Sequence, residues 1–261
     1  MISLSEHIKE YWELQAQKHE GSHWASWGDN WMIDLEIQAI GEHILPDSKV
    51  IDIGCANGYS SFKQYDLRKP ESIVGIDFSK NMIEFANKTL NSRADASNLT
   101  FEVGDIRSLD FADASFDVAY TTRVLINLPT WEEQKQAISE CLRVVKPGGK
   151  LVLSEGFWEP LCKLNAVRLL CNLPPLVEHD FNRYIKFDHL RRYLESLKVM
   201  YTINDFSSIY YLGSRLLREL ITNPDEFQGF SNPVNELFYN IEKQYSGGGF
   251  GIQQAVIIDK I

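Results

Sequence analysis

From Lys49 onward the sequence alternates short β-rich runs with stretches of helical spacing, and no other feature restricts the fold as much. The runs are Val50 to Ile53, Ile73 to Ile76, Thr100 to Val103, Phe116 to Tyr120 and Lys150 to Leu153. Strands in this order build a parallel sheet, because parallel neighbours need a crossover and a helix is the usual one. The helix before the fifth run is the best punctuated. Thr130 and Glu133 form a capping-box pattern, Ala137, Cys141 and Val144/Val145 share a face, and Lys146-Pro147-Gly148-Gly149 ends it. A helix over Asp188 to Leu197 leads to a sixth strand, Val199 to Phe206, and GIQQAVIID supplies a seventh.

Ahead of the sheet, Ser3 and Glu6 make another capping-box pattern, with Leu4, Ile8 and Tyr11 or Trp12 continuing at helical spacing. An aromatic loop, GSHWASWGDNW, separates this helix from a second one marked by Ile33, Ile37, Ile40 and Ile44, which stops before Pro46. Two excursions exceed the usual connection of roughly 4 to 6 residues. The expected organisation is an N-terminal helical cap segment (1–45), a core (46–156), a cap insertion (157–187), a core helix and strand (188–206), a second cap insertion (207–250) and a final core strand (251–261).

An apolar content of 44% in 261 residues is ample for a buried core. The net charge of −10 opposes a nucleic-acid partner, which calls for a basic face that displaces counterions. Cysteines 55, 141, 162 and 171 have neither CxxC nor Cys/His zinc spacing, so no metal is expected and a reduced compartment is. The start carries Glu6, Lys9 and Glu10 where a signal peptide needs apolar residues, and no run approaches the roughly 18 apolar residues of a membrane span. A soluble, cytoplasmic protein without a membrane partner is the expectation.

At the end of the first strand, VIDIGCANGYSS breaks into small residues, where Gly54 and Gly58 permit positive φ or close approach of a ligand to the backbone. Ligands of open parallel sheets bind there, beyond the carboxyl ends of the strands. Asp77 ends the second strand and can accept hydrogen bonds from two ribose hydroxyls, or cap the following helix beside the better cap Ser79. A dinucleotide fingerprint wants G-x-G-x-x-G, yet Ala56 occupies the second glycine's place. After the third strand, Asp105-Ile106 can accept from an adenine amino group and cover its ring. This disfavours a nicotinamide-dependent reductase.

VIDIGCANG, VGIDFSKNMIEFA, FEVGDI, FDVAYTTRVLINLP and LRVVKPGGKLVLSE, in that order and spacing, resemble the class I, seven-stranded S-adenosylmethionine-dependent methyltransferases over roughly residues 46 to 156. The resemblance implies an α/β, Rossmann-like doubly wound sheet with its last strand antiparallel between the fifth and sixth, and S-adenosylmethionine as cofactor. It places Asp52, Gly54, Cys55, Ala56, Asn57 and Gly58 at the methionine end, Asp77 on the ribose, Phe78 and Met82 against adenine, and Asp105 and Ile106 on its edge. Thr121 would add backbone contacts. Ala56 costs little if its φ is negative.

Both excursions leave the carboxyl ends of strands and should roof the cofactor side, together with Trp12, Trp24, Trp27 and Trp31. Such a roof favours a closed site for a small-molecule acceptor. Candidate catalytic groups are Arg123, Asn127, Glu155 and His179; their ordinary alternatives are a surface arginine, a turn cap, an exposed carboxylate and a solvated loop histidine. Tyr210, Tyr211 and Arg215 are further candidates. The N/D-P-P-Y/F signature of amino-nucleobase and glutamine methyltransferases is absent, as are the paired cysteines of arsenical methylation. The expected activity is methyl transfer to an oxygen or nitrogen of a metabolite or saccharide, with Arg123 available to an anionic group. The alternative is a protein that binds S-adenosylmethionine without transferring its methyl group, in a regulatory or partner-binding role.

Overall fold

The computed structural model describes residues 4–223 and 229–261, so the Ser3 half of the first capping box lies outside the described residues. The chain opens with α1 (Leu4–His19) and α2 (Asn30–Gly41), then alternates β1 (Lys49–Ile53), α3 (Tyr59–Arg68), β2 (Ser72–Asp77), α4 (Lys80–Asn91), β3 (Leu99–Val103), β4 (Phe116–Thr122), α5 (Trp131–Val144) and β5 (Val145–Gly156). It continues through α6 (Trp158–Leu170), α7 (Phe187–Leu197), β6 (Met200–Asn204), α8 (Ser208–Leu212), α9 (Arg218–Ile221), α10 (Pro233–Glu242) and β7 (Gln253–Asp259). Gly213–Leu217 forms a π-helical turn joining α8 to α9.

The seven strands lie in the order β3-β2-β1-β4-β5-β7-β6, with β7 antiparallel to both neighbours. Strand order reverses between β1 and β4, whose ends pair at Ile53 and Thr121. That junction opens the crevice in which ligands of such sheets bind. Side chains of β1 alternate between two cores: Val50 packs on one face with Ile73, Val118 and Val152, while Ile51 and Ile53 pack on the other with Ile76, Ala119 and Leu153. Each fully buried aliphatic side chain contributes about 1.5–3 kcal/mol.

Two differences from the sequence-based expectation bear on the site. The first excursion is less irregular than its text, because α6 fills most of its first half, with Pro160 in the first turn where a missing N–H costs little. β6 is shorter than expected; as the sheet edge it loses its pairing with β7 beyond Asn204. The glycine-rich SGGGFG is held in place: the Gly249 amide donates to Asp205 at 2.8 Å, the Phe250 amide to Ser208 at 2.9 Å, and Lys163 to the Gly248 carbonyl. The N-terminal segment is held onto the core. Glu13 accepts from the Lys80 and Asn81 amides at 2.9 and 3.1 Å, occupying the N-terminus of α4.

Candidate donor and acceptor site

The loop after β1 is shaped by left-handed residues. Gly54 and Gly58 have φ of +82° and +80°, and Ala56 has φ of +48°, so the condition under which Ala56 would cost little is not met. A non-glycine residue there costs about 1–2 kcal/mol. The offset is visible: Ala56 donates its amide to Asp77 Oδ2 at 2.9 Å, a charge-assisted bond. At Gly54 a Cβ would sit 2.0 Å from Val124 Cγ2, so only glycine lets the loop after β4 approach.

Two adjoining cavities open at the β1/β4 junction and share Gly54, Asp77, Phe78, Val124 and Asn127. The smaller, about 80 Å³, is a slot bounded by Ile76, Ile106 and Leu128, with Asp105 at its rim and Ser5 and Ile8 of α1 above. The larger, about 300 Å³, takes in Ala56 and Met82 and extends beneath the aromatic roof. An apolar slot ending at a buried carboxylate suits a nucleoside, and an adjoining wider space suits its substituent and a second reactant.

Asp77 is nearly buried between these spaces. Its Oδ1 accepts the Ser79 amide at 2.9 Å and its Oδ2 the Ala56 amide, leaving each oxygen a further acceptor position. Burial pushes its carboxyl up to about 6, although the Ser79 and Ala56 amides pull it down. Ser79 caps α4 by accepting the Met82 amide, as the sequence suggested. Asp105 is clasped by Arg107, through Nε at 3.0 Å and Nη2 at 2.7 Å. Burial raises its carboxyl, but the bonds and charge of Arg107 outweigh it and leave the group below its ordinary value.

Five of the residues expected at the donor lie outside the lining of either cavity. Asp52 points into the sheet face behind the loop and accepts from Ser61; burial raises its carboxyl to about 7. Cys55 is buried beside Gly75, and burial drives its thiol well up. Asn57 donates to the Glu20 and Ser22 carbonyls, both at 2.7 Å, tying the loop to the end of α1. Gly58 turns the chain into α3 against Phe101, and Thr121 is turned inward to Glu155. These residues shape the loop from behind.

Among the expected catalytic groups, Arg123, Asn127 and His179 border the larger cavity and Glu155 does not. Glu155 is fully buried rather than exposed, and it accepts from Thr121 Oγ1 and from the amides of Val124, Leu125 and Ile126 at 2.8–3.3 Å. Burial raises its carboxyl to about 7 against those donors. It therefore pins the loop after β4 instead of facing a substrate. Asn127 accepts from Trp12 Nε1 at 2.8 Å and donates to the Arg123 carbonyl at 2.9 Å, coupling α1 to that loop. His179 packs on Phe181 and Tyr11, with ring centroids 4.1 and 5.4 Å apart.

The expected aromatic roof divides. Trp12 and Trp27 border the cavity, whereas Trp24 is 48% exposed and Trp31 packs on Tyr239. From the second excursion Tyr211 reaches the cavity; Tyr210 and Arg215 are instead joined to buried Asp29 at 2.6 Å each. Sequence reasoning missed Tyr184 and Glu36. Tyr184 lies over Gly156, whose Cβ would be 3.0 Å from its ring. Glu36 is buried, accepts from Ser154 at 2.7 Å and from Gln253, and lies 3.3 Å from Arg123 Nη1. The signal for Glu36 was present: it sits between Ile33, Ile37 and Ile40 on the apolar face of α2.

A family model described as a methyltransferase domain matches residues 44–204. An O-methyltransferase of Aspergillus nomiae is 29% identical over 147 residues, covering 54% of this chain and 64% of that protein. A demethylmenaquinone methyltransferase of Renibacterium salmoninarum is 36% identical over 121 residues, covering 46% of each. The chain thus spans less than two thirds of the length of either relative. In structure it resembles the geranyl diphosphate C-methyltransferase of Streptomyces coelicolor, with a TM-score of 0.63, 14% identity and coverage of 100% and 99%. The [4+2]-cyclase SpnF is similar in fold at a TM-score of 0.61, 17% identity and coverage of 99% and 96%. With the antiparallel β7, the β1 loop and the extent of the family match, the chain belongs to the methyltransferase-domain family and has the architecture of the class I S-adenosylmethionine-dependent methyltransferases.

Proposed function

We propose that the chain transfers the methyl group of S-adenosylmethionine to an oxygen or nitrogen atom of a small molecule. The observation that carries this reading is the junction of the two cavities at Gly54, Asp77 and Asn127: a narrow apolar slot with Asp105 at its rim opens directly into a larger roofed space. When bound, S-adenosylmethionine supplies a methyl group on a sulfonium, which passes to an acceptor lone pair and leaves the neutral thioether. Asp77 would hold the ribose, Phe78 and Met82 the adenine faces, and Asp105 and Ile106 its edge, with Gly54 and Ala56 toward the methionine.

The chain's own contribution is chiefly orientation, which in favourable systems is worth about 7–11 kcal/mol. Asn127 and Arg123 would position the acceptor, both being carried on the loop that Glu155 fixes. An alcohol acceptor must also lose its proton, and His179 is the imidazole bordering the larger cavity among the described residues. Its side chain, 46% exposed, would relay that proton to solvent.

Calorimetry with S-adenosylhomocysteine tests the donor half: micromolar binding is expected, and no binding at millimolar concentration would overturn the reading. Transfer of labelled methyl to a panel of phenols, alcohols and amines tests the reaction. Donor binding without transfer to any acceptor would instead support the binding-protein alternative, a useful distinction because the fold also houses a cyclase.

A further inference from the structure

We infer that Glu36 is a specificity-determining residue which neutralises Arg123, so that the larger cavity selects an uncharged, planar aromatic acceptor over an anionic one. The inference rests on the methyltransferase reading and narrows its acceptor. It reverses the sequence-based expectation that Arg123 would meet an anionic group.

The titratable side chains bordering the larger cavity are Tyr11, Asp77, Arg123, His179, Tyr184 and Tyr211. Arg123 is their one permanent cation among the described residues, and it is already engaged. Its Nη1 lies 3.3 Å from Glu36 Oε2, and its guanidinium carbon is 4.6 Å from the centre of the Trp27 ring. Among the described residues Arg123 is the cation paired with Glu36, and Ser154 and Gln253 donate to its other oxygen. Burial raises the Glu36 carboxyl, while Arg123, Ser154 and Gln253 favour the charged form. Breaking a buried ion pair to free Arg123 for an incoming carboxylate would strand Glu36 without its partner, which is costly.

Trp27 stacks under Arg123, Tyr11 and Phe181 pack with centroids 4.9 Å apart, and Tyr184 lies over Gly156 at the end of β5. Burial raises the Tyr184 hydroxyl to about 12 and raises Tyr211 as well, so both are neutral donors at neutral pH. Neutral phenols and flat apolar faces suit a ring bearing hydroxyl or carbonyl groups.

The test uses a matched pair of probes, naphthalene-2-carboxamide and naphthalene-2-carboxylate, titrated calorimetrically into the chain saturated with S-adenosylhomocysteine. The expected result is that the wild type binds the amide at least about tenfold tighter, and that Glu36→Gln shifts the ratio by about tenfold or more toward the carboxylate. A Glu36→Gln/Arg123→Gln double variant should lose the response to probe charge, a readout that a merely structural role for Glu36 would not move. Wild-type preference for the carboxylate, an unchanged ratio in a folded Glu36→Gln, or failure of both probes to bind would each overturn the inference. Intact binding of S-adenosylhomocysteine in the same experiment separates that failure from failure of the methyltransferase reading.

Discussion

Glu155 Oε1, at the end of β5, accepts the Thr121 hydroxyl of β4 at 2.8 Å and, at 3.1 Å each, the amides of Val124 and Leu125. One buried carboxylate thus fixes the turn that carries Arg123 and Asn127 to the cavity. Glu155→Gln replaces an acceptor with a donor among these N–H groups and should lower both stability and turnover. The charge state adds a signature. Burial lifts the folded carboxyl from 4.5 to about 7, so the unfolded chain gives up this proton first and the contribution to stability falls as pH rises between those values. Melting temperature against pH over that window should be flatter in Glu155→Gln than in the wild type; parallel curves would remove this role.

Asp77→Ala should weaken S-adenosylhomocysteine binding by at least about tenfold, the loss of one or two charge-assisted hydrogen bonds. Binding also selects the ionised carboxylate, whose folded value is about 6. Affinity in the wild type should therefore be steady above that value and decline as pH falls through it. Calorimetry from acid to neutral pH measures this, and the same decline in Asp77→Ala would assign it elsewhere.

At Gly54 two penalties coincide, a φ of +82° and a Cβ 2.0 Å from Val124 Cγ2. Gly54→Ala should destabilise the chain by about 2–4 kcal/mol, combining left-handed strain with overpacking. Adding Val124→Ala should recover only the packing part. Urea unfolding of the single and double variants separates the two.

Asn57 ties the β1 loop to the end of α1 through two 2.7 Å bonds. Asn57→Ala removes this donor from the Glu20 carbonyl and leaves the Ser22 carbonyl only the Ala25 amide, and should cost about 1–3 kcal/mol. Proteolysis around residues 19–22 should accelerate, and ligand should protect less well than in the wild type. Unchanged cutting would mean that Glu13 and Trp12 hold α1 unaided.

His179→Ala should reduce turnover of an alcohol acceptor by about 10²–10⁴-fold if the imidazole takes its proton, while leaving donor affinity within about twofold. His179→Phe would preserve packing on Phe181 without restoring activity. Full activity in His179→Phe would reduce the residue to a wall of the cavity.

Much of the lining of the two cavities was legible because its residues occupy fixed places relative to strand ends. Gly54, Asp77, Phe78, Met82, Asp105 and Ile106 all border the cavities, where the strand ends and the family resemblance had put them. Period alone could not tell which face of the loop each residue takes. Asp52 and Thr121 lie on strands whose alternation sends their side chains inward, and Asn57 turns to α1 because two carbonyls await it there.

The amino-acid sequence by itself determined the order of strands and crossovers, the helix caps at Ser79 and Thr130, and the cavity-lining residues at the strand ends; these depend on contacts local to each element. Tertiary structure alone determined what Arg123 and Glu155 do. Arg123 is paired by Glu36 of α2, itself bonded to Ser154, 118 residues away in sequence, and to Gln253 of the antiparallel β7. Partners so distant in sequence carry no local period, and burying a charge forces each to find its counterpart only when α2, β5 and β7 close on one another.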